Sequence, residues 1–184
     1  MTNIKHMDYE TLIASASSFA TLSHLGQTRS DGSLYITHPI AVMNVLFLVY
    51  KHFGKNVPIE MAIAALLHDT IEDTKVTAED INSSYGLVVT SLVLELTIDK
   101  ERRSVVGRVL YMINSLVNMT EKALTLKLCD RFHNVTDLLT AKDEKWRTKY
   151  RKETKEILDG LENQRPLLPE HKFLVKMIRE LISL

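Results

Sequence analysis

Apolar residues recur at helical spacing through nearly the whole chain, and no segment alternates apolar and polar residues with a period of two. Only 6 glycines and 4 prolines interrupt the 184 residues, which leaves room for long helices between them. The pattern therefore predicts an all-α fold. Helices are expected at about residues 8–25, 39–53, 58–73, 78–84, 87–97, 102–118, 121–140, 143–163 and 168–183.

Local signals predict where several of these helices begin and end. Pro39 is expected at the first helical position after His38, where a missing N–H costs nothing. Thr77 and Asp80 have the spacing of a capping box, and Gly86 is expected to end that short helix in a left-handed turn. Three histidines are expected at the surface or at helix ends: His6, His52 and His171.

The length and composition are those of one folded domain. At 184 residues and 21.0 kDa, the chain is large enough to bury roughly two-thirds of the surface that it exposes when unfolded. Hydrophobic residues make up 45% of it and charged residues 25%, which argues against disorder. No repeat or linker divides the sequence, so residues 1–184 are expected to form a single domain.

Charge and cysteine content restrict the partners and the compartment. The 23 basic and 23 acidic side chains give a formal net charge of zero, which disfavours non-specific binding to nucleic acid. No apolar run reaches the roughly 20 residues that span a bilayer, and residues 1–10 lack the apolar core of a signal peptide. The single cysteine, Cys129, fits a reducing compartment. A cytoplasmic protein without a nucleic-acid or membrane partner is expected.

One segment joins an apolar helix to a group of titratable side chains. Residues 61–67 are all apolar, which predicts a helix buried on nearly every side. His68, Asp69, Glu72 and Asp73 follow within six positions, and on a helix they would form two adjacent rows. Buried carboxylates next to each other are costly unless a cation or hydrogen bonds compensate them. A divalent metal meets that requirement, although a helix end that emerges into water, with His68 in the core, fits this segment equally well.

A second segment favours the metal over that alternative. Residues 123–134 repeat the pattern of an apolar helix that carries an acid, and Asp130 and Asn134 project from one of its faces. Asp130 offers a hard oxygen ligand, and Asn134 can donate to a ligand or hold a substrate hydroxyl. His38 supplies a further candidate ligand, a second imidazole. Two imidazoles with two carboxylates form a nitrogen–oxygen set suited to Mn²⁺, Fe²⁺ or Zn²⁺.

Five blocks stand in order along the chain: His24–Arg29, Tyr35–Pro39, Ala65–Thr74, Lys127–Asn134 and Arg151–Thr154. In this order and spacing they resemble the hydrolase domain of RelA/SpoT proteins, within the HD superfamily of metal-dependent phosphohydrolases. The resemblance covers a core of about residues 19–161, before the C-terminal helix at about 168–183. With no synthetase domain following, the chain is similar to the free-standing small alarmone hydrolases.

The resemblance implies an HD-domain bundle of about eight to ten helices. It also implies the Mn²⁺-dependent removal of the 3′-pyrophosphate from guanosine tetra- or pentaphosphate (ppGpp or pppGpp), which yields GDP or GTP. Glu72 and Asp73 match the acidic pair that orients or deprotonates the attacking water. The implied metal ligands are His38, His68, Asp69 and Asp130.

The same resemblance implies contacts to a small-molecule nucleotide. Arg29 matches an arginine near the purine, and Asn134 matches an asparagine beside the nucleoside. Tyr150 is a further candidate for substrate binding, and packing against a neighbouring helix explains it as well. Ser30 stands where the family usually has lysine, and the loop before Tyr35 lacks the usual proline.

The uncharged Ser30 keeps two other functions open. The same metal site could act on another phosphorylated nucleotide, such as the 2′-phosphate of NADPH. A non-catalytic alarmone-binding or antitoxin-like protein could retain the fold without turnover, although such a binder would not need the complete ligand set with Glu72 and Asp73. The sequence does not define an oligomeric state.

Overall fold

All regular secondary structure of the computed structural model is helical within residues 8–139 and 143–184, which are the residues that it describes. The β-type backbone pairing among these residues is an isolated antiparallel bridge between Thr28 and Leu34. The predicted all-α fold is therefore confirmed. The helices are α1 (Tyr9–Ser23), α2 (Thr37–His52), α3 (Ile59–Leu67), α4 (Thr70–Asp73), α5 (Ala78–Tyr85), α6 (Leu87–Leu96), α7 (Lys100–Val106), α8 (Arg108–Asn118), α9 (Glu121–Thr136), a 3₁₀ helix (Asp137–Leu139), α10 (Glu144–Gln164) and α11 (Pro169–Ile182).

The chain divides into two compact units, the first up to Thr97 and the second from Ile98 onwards. In the first unit α3 is the central helix, because it contacts α1, α2 and α6. All seven of its residues from Met61 to Leu67 are buried, as the apolar run predicts. Each larger side chain in such a run stabilises the fold by about 1.5–3 kcal/mol through burial, and this holds α3 in the core of the unit.

The helix expected over residues 58–73 is interrupted at His68 and Asp69, which separate α3 from α4. The side chain of His68 bonds to the carbonyl oxygen of Ala65 at 2.8 Å, and the Thr70 hydroxyl donates to the carbonyl of Leu67 at 2.7 Å. Such side-chain bonds compete with the helical ladder. The chain turns here, and Asp69 keeps a helical link to Asp73, whose N–H donates to its carbonyl at 2.9 Å.

The first turn of α2 starts earlier than the sequence predicts. The helix begins at Thr37, so Pro39 is its third residue and not its first. The reason is the turn before it, in which the His38 N–H donates to the carbonyl of Tyr35 at 3.0 Å and the Thr37 hydroxyl donates to that of Leu34 at 2.8 Å. Proline is still tolerated, because the first four N–H groups of a helix have no helical acceptor.

The predicted capping box at the start of α5 is confirmed, with Thr77 and Asp80 bonding reciprocally. Gly86 ends α5 with a positive φ of 82°, but its ψ of 171° is extended and not that of a left-handed helical turn. Gly107 acts in the same way in the second unit. Its φ of 85° separates α7 from α8, where the sequence predicts a single helix over 102–118.

In the second unit α9 is the most buried helix and packs against α11, while α8 packs against α10. The helix expected over 121–140 ends at Thr136 and continues as the short 3₁₀ helix, and residue 140 lies outside the described residues. α10 and α11 agree with the predicted bounds to within one residue at each end. No helix in the described ranges is long and apolar enough to cross a membrane.

Two of the three histidines expected at the surface or at helix ends lie in the described residues. His52 is exposed as the last residue of α2, in agreement with the prediction. His171 stands in the first turn of α11, which fits a helix end, but it is fully buried and not at the surface, with its Nε2 2.9 Å from the hydroxyl of Thr125. His6 lies outside the described residues.

Candidate active site

His68 and Asp69 form the turn at which α3 ends. His68 is 2% exposed, and its Nδ1 lies 2.8 Å from the carbonyl oxygen of Ala65. A carbonyl oxygen can only accept, so Nδ1 carries the proton of this bond. Nε2 of the same ring lies 3.0 Å from Oδ2 of Asp69. A neutral imidazole in this tautomer therefore directs a lone pair at a carboxylate oxygen.

His38 reaches the same carboxylate oxygen from the first turn of α2. It is 1% exposed, its Nε2 lies 3.6 Å from Oδ2 of Asp69, and its ring centre lies 5.1 Å from that of His68. Two imidazoles and one carboxylate of the first unit thus converge. Lone pairs that face one another in a buried place require a cation or a proton between them.

This donor set fits a divalent metal ion. His38, His68 and Asp69 of the first unit are a histidine–histidine–aspartate group of the kind that could hold one. Imidazole nitrogen with carboxylate oxygen suits Zn²⁺, Fe²⁺ and Mn²⁺. The bond from His68 Nδ1 to a backbone carbonyl is also the outer support that metal-binding histidines usually have, because it fixes the tautomer and the orientation of the ring.

Tyr35 is a residue of this site to which the sequence analysis assigns no role. Its hydroxyl donates to Oδ2 of Asp69 at 2.7 Å and lies 3.3 Å from Oδ2 of Asp73. Burial, followed by the charges of these two carboxylates, raises the pKa of Tyr35 well above its usual value, so the phenol remains a donor. The signal in the sequence is the spacing of three between Tyr35 and His38 at the start of a helix.

Glu72 and Asp73, the predicted acidic pair, lie on α4, one turn beyond Asp69. Asp73 is exposed and Glu72 is half-buried, so both carboxylates are on a helix that reaches the surface. The backbone of Asp73 is held from the preceding loop, since the Gln27 side-chain amide donates to its carbonyl at 2.8 Å. Asp73 and the predicted ligand Asp69 therefore both contact the hydroxyl of Tyr35.

The loop before α2 holds Arg29 next to the same tyrosine. The guanidinium carbon of Arg29 lies 5.9 Å from the centre of the Tyr35 ring. The backbone N–H of Arg29 donates to the carbonyl of Ser33 at 2.9 Å. Gly32 makes the tight turn with a φ of 89°, and the Asp31 carboxylate accepts from the N–H and the hydroxyl of Ser33. These bonds order a loop in which the usual proline is missing.

Asp130 lies on α9 in the second unit, where its carboxylate has two partners on the same helix. Lys127 Nζ lies 3.0 Å from Oδ2, and the side-chain amide of Asn134 donates to Oδ1. Lys127 is only 6% exposed, and the sequence analysis assigns it no role. Its signal is a lysine three residues before an acid in an otherwise apolar helix. The predicted ligand and the predicted substrate-binding residue Asn134 therefore lie together.

Tyr150, the third predicted substrate-binding residue, packs inside the second unit. It is 8% exposed, and two guanidinium groups lie over its ring, with Arg108 at 5.3 Å and Arg131 at 5.7 Å from the ring centre. Arg131 in turn donates to the hydroxyl of Thr154 at 3.2 Å. These contacts explain Tyr150 by packing between α9 and α10, and a substrate contact for it remains a prediction.

Comparison with known proteins agrees with this fold. The model of the HD domain family matches residues 16–167, which include most of each unit. The chain belongs to the HD-domain family, and the predicted resemblance to hydrolases of the RelA/SpoT type is confirmed.

Three similar proteins place the chain within that family. It is 33% identical over 172 residues to the guanosine-3′,5′-bis(diphosphate) 3′-pyrophosphohydrolase MESH1 of Xenopus tropicalis, covering 89% of this chain and 93% of that protein. It is 35% identical over 145 residues to the bifunctional (p)ppGpp synthase/hydrolase SpoT of Escherichia coli K12, covering 76% of this chain but 20% of SpoT. A solved structure of a metazoan SpoT orthologue shares the fold, with a TM-score of 0.72 over 92% of this chain and 94% of that one at 24% identity.

Proposed function

We propose that this protein is a metal-dependent hydrolase that removes the 3′-pyrophosphate from ppGpp or pppGpp and leaves GDP or GTP. The observation that carries the proposal is the convergence of His38 and His68 on one oxygen of Asp69. The chain that holds this group resembles, over 89% of its length, a relative named for this reaction. The substrate is one small-molecule nucleotide, and the reaction needs one water.

The proposed ligands of a single Mn²⁺ ion are His38, His68, Asp69 and Asp130. The donor chemistry supports this set, because two imidazole nitrogens with two carboxylates leave positions open for water and substrate. When bound, a divalent ion offsets charge on phosphoryl oxygens and lowers the pKa of water. Lys127 would limit the negative charge that Asp130 brings to the centre.

Glu72 and Asp73 would position the water and accept its proton. In the hydrolysis the water oxygen forms a bond to phosphorus, and the bond from that phosphorus to the ribose 3′-oxygen breaks. One proton leaves the water for a carboxylate, and the 3′-oxygen takes up a proton as it leaves. Asp73 is the better placed of the two for exchange with solvent, because it is exposed on α4.

Arg29, Asn134 and Tyr150 would bind the nucleotide. Arg29 has the strongest structural support, because the ordered loop holds its guanidinium over Tyr35, whose hydroxyl contacts Asp69 and Asp73. A planar guanidinium at this place can stack on a purine or bind a phosphate. Asn134 already donates to Asp130, so its remaining donor and acceptor capacity would serve the nucleoside. We also propose a cytoplasmic location, which the single, buried, free thiol of Cys129 favours.

A substrate panel tests the proposal. The purified protein with Mn²⁺ is offered ppGpp, pppGpp, NADPH and ordinary ribo- and deoxyribonucleotides, and kcat/KM is measured for each. We expect ppGpp or pppGpp to be the best substrate. A higher kcat/KM for NADPH would indicate that NADPH, and not ppGpp, is the substrate, in keeping with the uncharged Ser30. Tight binding of ppGpp without any turnover would instead indicate a sensor or an antitoxin-like protein.

A further inference from the structure

We infer that Tyr35 is a positioning residue whose hydroxyl joins the metal ligand Asp69 to the candidate proton acceptor Asp73. The inference rests on the proposed ligand set and on the proposed role of Asp73. It starts from two distances, 2.7 Å from the Tyr35 hydroxyl to Oδ2 of Asp69 and 3.3 Å to Oδ2 of Asp73. All three residues belong to the first unit, on α4 and the segments before α2 and α4.

A phenol has one proton to donate, and the shorter distance assigns it to Asp69. The accepting atom, Oδ2, is the same oxygen that faces Nε2 of His38 and of His68. Donation from Tyr35 therefore limits the rotation of the carboxylate and keeps Oδ2 between the two imidazoles. In other metal sites, mutation of a residue that bonds to a ligand and not to the metal lowers metal affinity or activity by about 10- to 100-fold. We expect an effect of that order for Tyr35.

The ring of Tyr35 is itself fixed on several sides. It stacks on His24 at 4.5 Å between ring centres with an interplanar angle of 28°. The backbone N–H of Tyr35 donates to the carbonyl of Gln27 at 3.1 Å. Nδ1 of His24 lies 2.9 Å from Oε1 of Gln27, and the amide nitrogen of Gln27 donates to the carbonyl of Asp73 at 2.8 Å. Tyr35, His24, Gln27 and Asp73 thus form a closed ring of contacts.

This ring of contacts connects the loop that carries Arg29 to the helix that carries Asp73. The hydroxyl of Tyr35 also reaches a proposed metal ligand, Asp69. A displacement of the loop would therefore move the carboxylates of Asp69 and Asp73 together. In the proposed reaction this link would keep the proton acceptor at a fixed distance from the ion.

Tyr35→Phe tests the inference, because it removes the hydroxyl and keeps the ring that stacks on His24. We expect the Kd for Mn²⁺, measured by electron paramagnetic resonance of the free ion, to rise about tenfold. The matched control is Tyr85→Phe, which removes a hydroxyl bonded to Ser15 at 3.2 Å in the same unit and should leave the Kd within about twofold. Circular dichroism establishes that both variants keep the helical fold. A Kd for Tyr35→Phe equal to that of the parent overturns the inference.

Kinetics separate this role from a general loss of structure. Tyr35→Phe at saturating Mn²⁺ should lower kcat more than it raises KM, because the ring beside Arg29 is retained. In a double-mutant cycle with Asp73→Asn, the two losses in kcat should overlap, since the hydroxyl that donates to Asp69 also lies 3.3 Å from Oδ2 of Asp73. Fully additive losses would contradict the link to Asp73. The metal measurement needs no substrate, so a weakened Mn²⁺ site in a protein that fails to hydrolyse ppGpp would refute the proposed function and leave the role of Tyr35 on Asp69 standing.

Discussion

His68 Nε2 lies 3.0 Å from Oδ2 of Asp69, the next residue of the chain, at the turn that ends α3. Adjacent side chains on a continuous helix diverge by about 100°. Here the turn between α3 and α4 directs both toward one point, and the bond from His68 Nδ1 to the carbonyl of Ala65 fixes the ring. The interruption of the helix is therefore part of how the site is built.

The acidic pair on α4 should control the rate and not the binding. Glu72→Gln and Asp73→Asn keep the size of each side chain and remove its ability to accept a proton. At least one of them should lower kcat by about 100-fold or more, with the Kd for Mn²⁺ and the KM close to those of the parent. Single-turnover kinetics with ppGpp measure this. Unchanged turnover in both variants would mean that the proton acceptor lies elsewhere.

The loop before α2 should determine nucleotide affinity. Arg29→Ala should raise KM strongly with a smaller effect on kcat, because the guanidinium binds ground state and transition state alike. Ser30→Lys restores the charge usual in the family at an exposed position and should lower the KM for ppGpp. Steady-state kinetics on both variants provide the test. A Ser30→Lys variant that turns over its best substrate more poorly would favour a nucleotide with a different distribution of charge.

The close packing of α8 on α10 should make Gly160 sensitive to substitution. A Cβ at this position would lie 2.5 Å from Cδ1 and 2.7 Å from Cγ1 of Ile113. Overpacking costs about 1–3 kcal/mol, while replacing a helical glycine by alanine gains up to about 1 kcal/mol. Gly160→Ala should therefore lower the free energy of unfolding in urea. In an Ile113→Ala background the same substitution should be neutral or stabilising, and a loss of equal size in both backgrounds would contradict the steric explanation.

Burial of His171 should make the stability depend on pH. Burial lowers the pKa of His171 in the folded protein, against the opposing effect of Glu121. The unfolded chain therefore takes up a proton near the ordinary pKa of about 6.5 while the folded chain does not. The free energy of unfolding should fall as the pH falls below that value. Urea unfolding at pH 7.5 and pH 5.5 should show a smaller decrease for His171→Gln than for the parent, and equal decreases would contradict this origin.

Much of the site could be predicted because its residues interrupt apolar helices. His68, Asp69 and Asp130 follow or interrupt runs that are otherwise buried, and buried titratable groups need compensation. Tyr35 and Lys127 were open to the same reasoning, since each stands three residues before a predicted ligand. Their roles were missed because a tyrosine or a lysine has many ordinary explanations, and only the distances to Asp69 and Asp130 distinguish among them.

Other features depend on tertiary packing and could not be predicted locally. His171 stands in the first turn of an amphipathic helix, a position that is usually exposed, and its burial depends on the contact of α11 with Thr125 on α9. The turn between α3 and α4 has no glycine or proline to signal it. The side-chain bonds of His68 and Thr70 to backbone carbonyls produce it instead.

The central claim is tested most directly by following Mn²⁺ binding and ppGpp hydrolysis together in the parent and in Asp69→Ala. The substitution removes the oxygen on which His38 and His68 converge. The parent should convert ppGpp to GDP and pyrophosphate in equal amounts, and should stop when Mn²⁺ is chelated. Asp69→Ala should lose tight Mn²⁺ binding and hydrolysis at once. An Asp69→Ala variant that binds Mn²⁺ as tightly as the parent, or a parent that releases no GDP from ppGpp, would contradict the account.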